Sequence, residues 1–112
     1  MKVEVIRTNG TRETHEIFVA STHLKLRHCK QLIGCETVDT VNLKDGRVMM
    51  VDDNGWECQT VDDGKGHIAM VPIRSLKPIN DEATKLYHSV SRPGTTHQIA
   101  GDVVIVLDRD FE

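Results

Sequence analysis

The chain has 112 residues, 38% of them apolar and 28% charged, with a net charge of −3. That is one domain of ordinary soluble composition, long enough to bury a modest core without metal or disulfide staples. No apolar run approaches the roughly 20 residues of a membrane span, and Cys29, Cys35 and Cys58 are an odd, irregularly spaced set that makes no disulfide framework.

The N-terminal MKVEVIRT alternates with a mixed face and reads as a strand rather than the apolar region of a secretory signal. Asn9-Gly10 is a turn signal, and 16–20 (EIFVA) reads as the second strand of an opening hairpin. Ser21 or Thr22 then caps a helix to Ile33, with Gly34 just past its end. Leu24, Leu26, Cys29, Leu32 and Ile33 form its apolar stripe, and Lys25, Arg27, His28 and Lys30 its basic surface.

The stretch 38–61 holds three β-rich runs joined by Asp45-Gly46 and Asn54-Gly55. Such dipeptides tolerate the positive φ of tight turns, so the reading is a three-stranded antiparallel meander over 36–43, 47–51 and 56–61. The Val- and Met-dense middle run, 47–51, is expected to be its most buried strand. A polar loop, Asp62-Asp63-Gly64-Lys65-Gly66, leads to a further run at 68–73, where Pro72 demands an edge. Asn80 caps a second helix, with Asp81 and Glu82 in its first turn and Ala83, Leu86, Tyr87 and Val90 on its apolar side. The unbroken apolar run 103–107 reads as a strand covered on both faces, and the acidic tail 108–112 as exposed. The fold class is therefore α+β: an antiparallel or mixed sheet with a central meander and two helices packed on one side.

Two segments carry a resemblance. One is Leu43-Lys44-Asp45-Gly46-Arg47-Val48-Met49-Met50-Val51-Asp52, ending in Asn54-Gly55; the other is Pro78-Ile79-Asn80 with Ala83, Thr84 and Leu86, followed by Ile99 and Gly101-Asp102-Val103-Val104-Ile105-Val106. Together they resemble a family of small uncharacterised proteins carried mainly by bacteriophages and bacterial mobile elements. The resemblance implies a viral or mobile-element accessory protein working in a bacterial cytoplasm; it implies no activity. Its repeated positions have structural explanations: Asn80 as a cap, Ala83 for close packing, Gly101 for a sharp turn into the last strand. The stretch 56–76 is an enlargement of the compact form, so whatever it does is its own.

No catalytic or metal signature stands out. His23, His28, Cys29 and Cys35 are near one another, but 23 and 28 fall about 140° apart around a helix. Asp52-Asp53-Asn54-Gly55-Trp56-Glu57 lacks the ligand spacing of a calcium loop. Ser89 or Ser91 with His88 or His97 and Asp102 names a triad's residues without its context. No cofactor is expected.

Charge is uneven: residues 1–34 carry six Lys/Arg against three acids, and 35–112 carry eight against fourteen. The first expectation is a non-enzymatic protein that binds a host protein, such as a defence or nucleic-acid enzyme, through Asp52, Asp53, Asp62, Asp63 and Trp56. The alternative is a nucleic-acid-binding module using Lys25, Arg27, His28 and Lys30. An exposed edge at 68–73 also allows a homodimer by strand pairing.

Overall fold

The computed structural model describes residues 1–107; the tail read at 108–112 lies outside them. Nine elements follow in chain order: β1 (Lys2–Ile6), β2 (Arg12–Glu16), α1 (Thr22–Ile33), β3 (Val38–Asn42), β4 (Val48–Asp52), β5 (Trp56–Asp62), β6 (Ile68–Ser75), α2 (Asp81–Val90) and β7 (Val103–Val106). The α+β reading holds, with a five-stranded sheet in the order β2-β1-β7-β4-β3 and a separate ribbon of β5 and β6. Every pairing is antiparallel.

β7 is the centre of the sheet, and all four of its residues are buried. Side chains alternate across a strand, so Val104 and Val106 serve one face and Val103 and Ile105 the other. On the first face they meet Val3, Val5 and Met50 beneath Cys29 and Ile33 of α1. On the second they meet Ile6, Met49 and Val51 beneath Ala83 of α2. The helices thus cover opposite faces, which corrects the one-sided arrangement. Two apolar faces on one sheet each need a cover, and one helix supplies each.

Both helix caps form as the sequence predicts. Ser21 Oγ accepts the Leu24 N–H at 3.1 Å, and Gly34 ends α1 at φ +64°. Asn80 Oδ1 accepts the Ala83 N–H at 3.1 Å. Asn80 also donates from Nδ2 to the carbonyls of Ile6 (2.9 Å) and Gly101 (3.1 Å), tying α2 to β1 and to the turn into β7. Gly101 stands at φ +88°, and Ala83 is fully buried. These roles agree with the structural reading of the motif.

Three further expectations change. The meander is broken: β4 pairs with β3 on one edge and β7 on the other, so no edge is left for β5. The most buried strand is β7; in β4, Val48 is only half-buried. The second strand is Arg12–Glu16 rather than 16–20, because the turn at Asn9-Gly10 places Ile6 opposite Arg12. The displaced segment puts Ile17 in the core and leaves Phe18 exposed. The resulting charged edge, Arg-Glu-Thr-His-Glu, suits a sheet margin.

The glycines at the two expected turns also differ. Gly46 adopts φ +87°, as a tight hairpin needs. Gly55 does not have positive φ; a Cβ there would stand 3.0 Å from the Ala100 carbonyl oxygen. Its role is close approach rather than backbone reach. Among the described residues no helix is long and apolar enough to cross a membrane.

Candidate functional site

The acidic residues expected to form a contact surface do not gather. Asp52 sits at the end of β4 with its side chain 3% exposed, ion-paired with Lys77 and accepting the Asn54 N–H at 2.8 Å. Lys77 Nζ also donates to the Gly34 carbonyl at 3.3 Å, so this pair fastens the start of α2's approach to the end of α1. A carboxylate so enclosed is a structural tie and offers nothing to a partner. Asp53 remains exposed beside it.

Asp62 and Asp63 lie at the far end of β5. Asp62 Oδ1 accepts the Gly64 N–H at 2.9 Å, and Asp63 Oδ1 accepts the Lys65 N–H at 2.7 Å. Asp63 Oδ2 meets His67 Nδ1 at 2.9 Å. The backbone N–H of Lys65, then His67, holds the Asp63 carboxyl below its ordinary value. These are loop-closing bonds. The rise of a strand, about 3.3 Å per residue, puts the two acidic pairs at opposite ends of the ribbon.

Trp56 is half-buried at the ribbon's base. Its Nε1 donates to the Gln98 carbonyl at 2.9 Å, and its ring centre lies 5.4 Å from that of His97. With Asp53, Cys58 and Asp39 these rings border an open cleft of about 140 Å³, below the volume that organic ligands usually occupy.

The basic residues of α1 do not converge either. Arg27 and His28 are exposed, while Lys25 and Lys30 are half-buried on flanks of the helix. At about 100° per residue the four point in widely separated directions. The candidate triad is likewise dispersed. Ser89 and Ser91 donate to the helix carbonyls of Leu86 and Tyr87, both at 2.6 Å. Asp102 accepts from Arg7 at 3.0 Å and from the Thr8 N–H at 2.9 Å. Among the described residues no group of three or more His, Cys, Asp or Glu side chains is placed to hold a metal. The three cysteines are free thiols; Cys29 is buried, and burial pushes its thiol up to about 11.

The sequence marks 68–73 as an exposed edge; the structure extends that exposure to the whole of the β5–β6 ribbon. Every residue from 57 to 74 is exposed. Ile68 is 70%, Met70 67% and Ile73 56% exposed, with Val61, Val71 and Leu76 also open to solvent. The register sorts them: Asp62/Ile68, Thr60/Met70 and Cys58/Pro72 share one face, and Val61/Ala69 and Gln59/Val71 the other. A 3.4 Å contact from Thr60 Oγ1 to Met70 Sδ lies on the first face, and the Arg74–Glu57 ion pair stands at the base. A register shift at Glu57/Cys58 marks a bulge. The signal in the sequence was Ile68-Ala-Met-Val-Pro-Ile73, an apolar run that serves both faces of a strand left exposed among the described residues.

Searches of family models, of curated proteins and of solved structures match nothing to this chain. The assignment of a role therefore stands on the geometry of the ribbon and its surroundings.

Proposed function

We propose that this chain is a non-enzymatic accessory protein of the phage type it resembles, acting in a bacterial cytoplasm by binding a host protein, with the β5–β6 ribbon as its docking arm. One observation carries the reading: a two-stranded ribbon with large apolar side chains exposed on both faces. Isolated hairpins are marginal in water, and contiguous apolar surface beyond a few hundred Å² marks an interaction site. The ends of the ribbon supply the polar rim that such interfaces carry, with Asp53 and Trp56 at the base and Asp62 and Asp63 at the tip. The scattered charges of Lys25, Arg27, His28 and Lys30 give the nucleic-acid reading no comparable support.

The test is a pull-down from bacterial lysate with the tagged full chain, with and without nuclease. The expected result is one host protein retained after nuclease treatment and lost in the double variant Met70→Asp/Val71→Asp, which puts a carboxylate on each face. Retention of nucleic acid alone, abolished by Lys25→Ala/Arg27→Ala/Lys30→Ala, would overturn the reading in favour of the helix. A partner indifferent to the ribbon variant would remove the ribbon from the site.

A further inference from the structure

We infer that the cleft at the base of the ribbon receives an arginine side chain of a protein partner. The inference rests on the reading of the ribbon as a docking arm and names the chemistry that its base takes. Asp39 lies opposite Val51 in the β3–β4 register, and the Asp53 N–H donates to the Thr37 carbonyl at 3.1 Å, so the sheet brings both carboxylates to the cleft. Trp56 and His97 line it as well, their ring centres 5.4 Å apart, and the Trp56 Nε1 bond to the Gln98 carbonyl holds the indole in place. Val51, Ile99 and Ala100, all buried, add an apolar floor.

Charge and size select the occupant. Among the described residues neither Asp39 nor Asp53 is ion-paired, while the third carboxylate of the lining, Asp52, is balanced by Lys77. Asp39 Oδ1 accepts the Thr40 N–H at 2.9 Å, which leaves its other oxygen for a ligand. The lining holds no Lys or Arg. The cleft therefore attracts a cation, and a free amino acid would find no Lys or Arg there to receive its carboxylate. No group of three or more His, Cys, Asp or Glu side chains among the described residues is placed to hold a metal, so the carboxylates suit a wider cation. A guanidinium is planar, stacks on an aromatic ring and offers five donors in a fixed fork, whereas an ammonium is a compact, strongly hydrated point charge. The stem of an arginine packs on apolar surface while its head stays among polar groups. A space of about 140 Å³ suits a side-chain end rather than a larger organic ligand.

Trp and Arg are among the side chains most enriched where interfaces concentrate their binding energy. Trp56 opens β5, so a protein lying along the ribbon passes the cleft at its base.

Fluorescence of Trp56, the single tryptophan, reads binding at the cleft directly. The full chain is titrated with the blocked peptide acetyl-Gly-Arg-Gly-amide, with its lysine counterpart, and with its citrulline counterpart, which keeps the shape and lacks the charge. The expected result is a saturable change with Kd on the order of 1 mM for the arginine peptide. Binding should be about tenfold weaker or more for the citrulline peptide and for the variant Asp39→Asn/Asp53→Asn. Asparagine keeps an acceptor for the Thr40 N–H, and both positions are exposed, so that variant should keep the wild-type circular dichroism and thermal midpoint. Glu16→Gln/Asp81→Asn, which removes two charges on β2 and at the start of α2, should bind as the wild type does. The inference is overturned by the absence of a saturable response, by equal binding of the citrulline or lysine peptide, by binding that survives Asp39→Asn/Asp53→Asn, or by an equal loss in Glu16→Gln/Asp81→Asn. The docking arm is judged separately: it stands if Met70→Asp/Val71→Asp still loses the host protein while the peptide fails to bind, and it falls if the peptide binds and the host protein is indifferent to that variant.

Discussion

Asn80→Ala should be among the most destabilising single polar substitutions in this fold. Asn80 is 1% exposed and uses three side-chain hydrogen bonds, one accepted from Ala83 and two donated to the carbonyls of Ile6 and Gly101. Losing the cap costs about 1 kcal/mol. Each buried carbonyl that loses a donor adds about 1 kcal/mol, for a total of about 3 kcal/mol. Against a typical stability of about 5–15 kcal/mol that is a large share, and for a domain this size it lowers Tm by about 12 °C. Urea unfolding followed through Trp56, the single tryptophan, reads the change as a shift in midpoint at constant slope. Asn80→Ser separates the contributions: its hydroxyl restores the cap without reaching both carbonyls, so about 1 kcal/mol returns. A loss below about 1 kcal/mol in the alanine variant, or wild-type stability in the serine variant, would refute the assigned role of the two carbonyl bonds.

Three other outcomes follow from the same geometry. Gly101→Ala forces a side chain to φ +88° and sets its Cβ 3.1 Å from Lys77 Cδ, so about 1–2 kcal/mol should be lost in urea unfolding. Lys77→Met leaves the enclosed Asp52 carboxylate unpaired; with Lys77 itself a third exposed, the loss should be about 2 kcal/mol and should exceed that of Asp52→Asn, which keeps an acceptor for the Asn54 N–H. The Glu13 carboxyl is held down to about 2, first by Arg7 and then by His15, against an ordinary 4.5. A depressed carboxylate contributes fully above 4.5 and loses its contribution as pH falls toward about 2, so Glu13→Gln should flatten that part of the stability–pH profile measured by urea midpoints.

Both helices were legible in the sequence because their ends are written in local chemistry: Ser21 and Gly34 for the first, Asn80 with Asp81 and Glu82 for the second. The last strand was legible because Val103–Val106 is apolar at every position, which only a doubly covered strand tolerates. A strand apolar on both faces needs a cover on each side of the sheet, so two helices on one side would have left one face bare. The meander failed for a different reason. Turn signals report where the chain reverses, but which strands become neighbours depends on contacts distant in sequence, here Val48 opposite Val106 and Val3 opposite Val106.

Of the candidate site, the turn chemistry was legible in the sequence and the bonding partners of its carboxylates were not. Acidic residues in turns drew notice, yet Asp52 closes an ion pair and Asp62 and Asp63 close their own loop. The run at 68–73 was seen as an edge because of Pro72. Periodicity states that both of its faces want cover and is silent on whether the same chain supplies it.

The position of β7 bears on how the molecule reaches this state. Each half of the core draws two of its side chains from residues 103–106, and both β1 and β4 hydrogen-bond to that strand. During synthesis, therefore, the first hairpin, both helices and the β3–β4 hairpin all emerge before either apolar face can be sealed. Until then each hairpin edge that will receive β7 is an open strand edge, the kind that pairs with the wrong neighbour. Closure joins residues about a hundred positions apart, a non-local contact of the kind that slows folding relative to helical proteins of equal size.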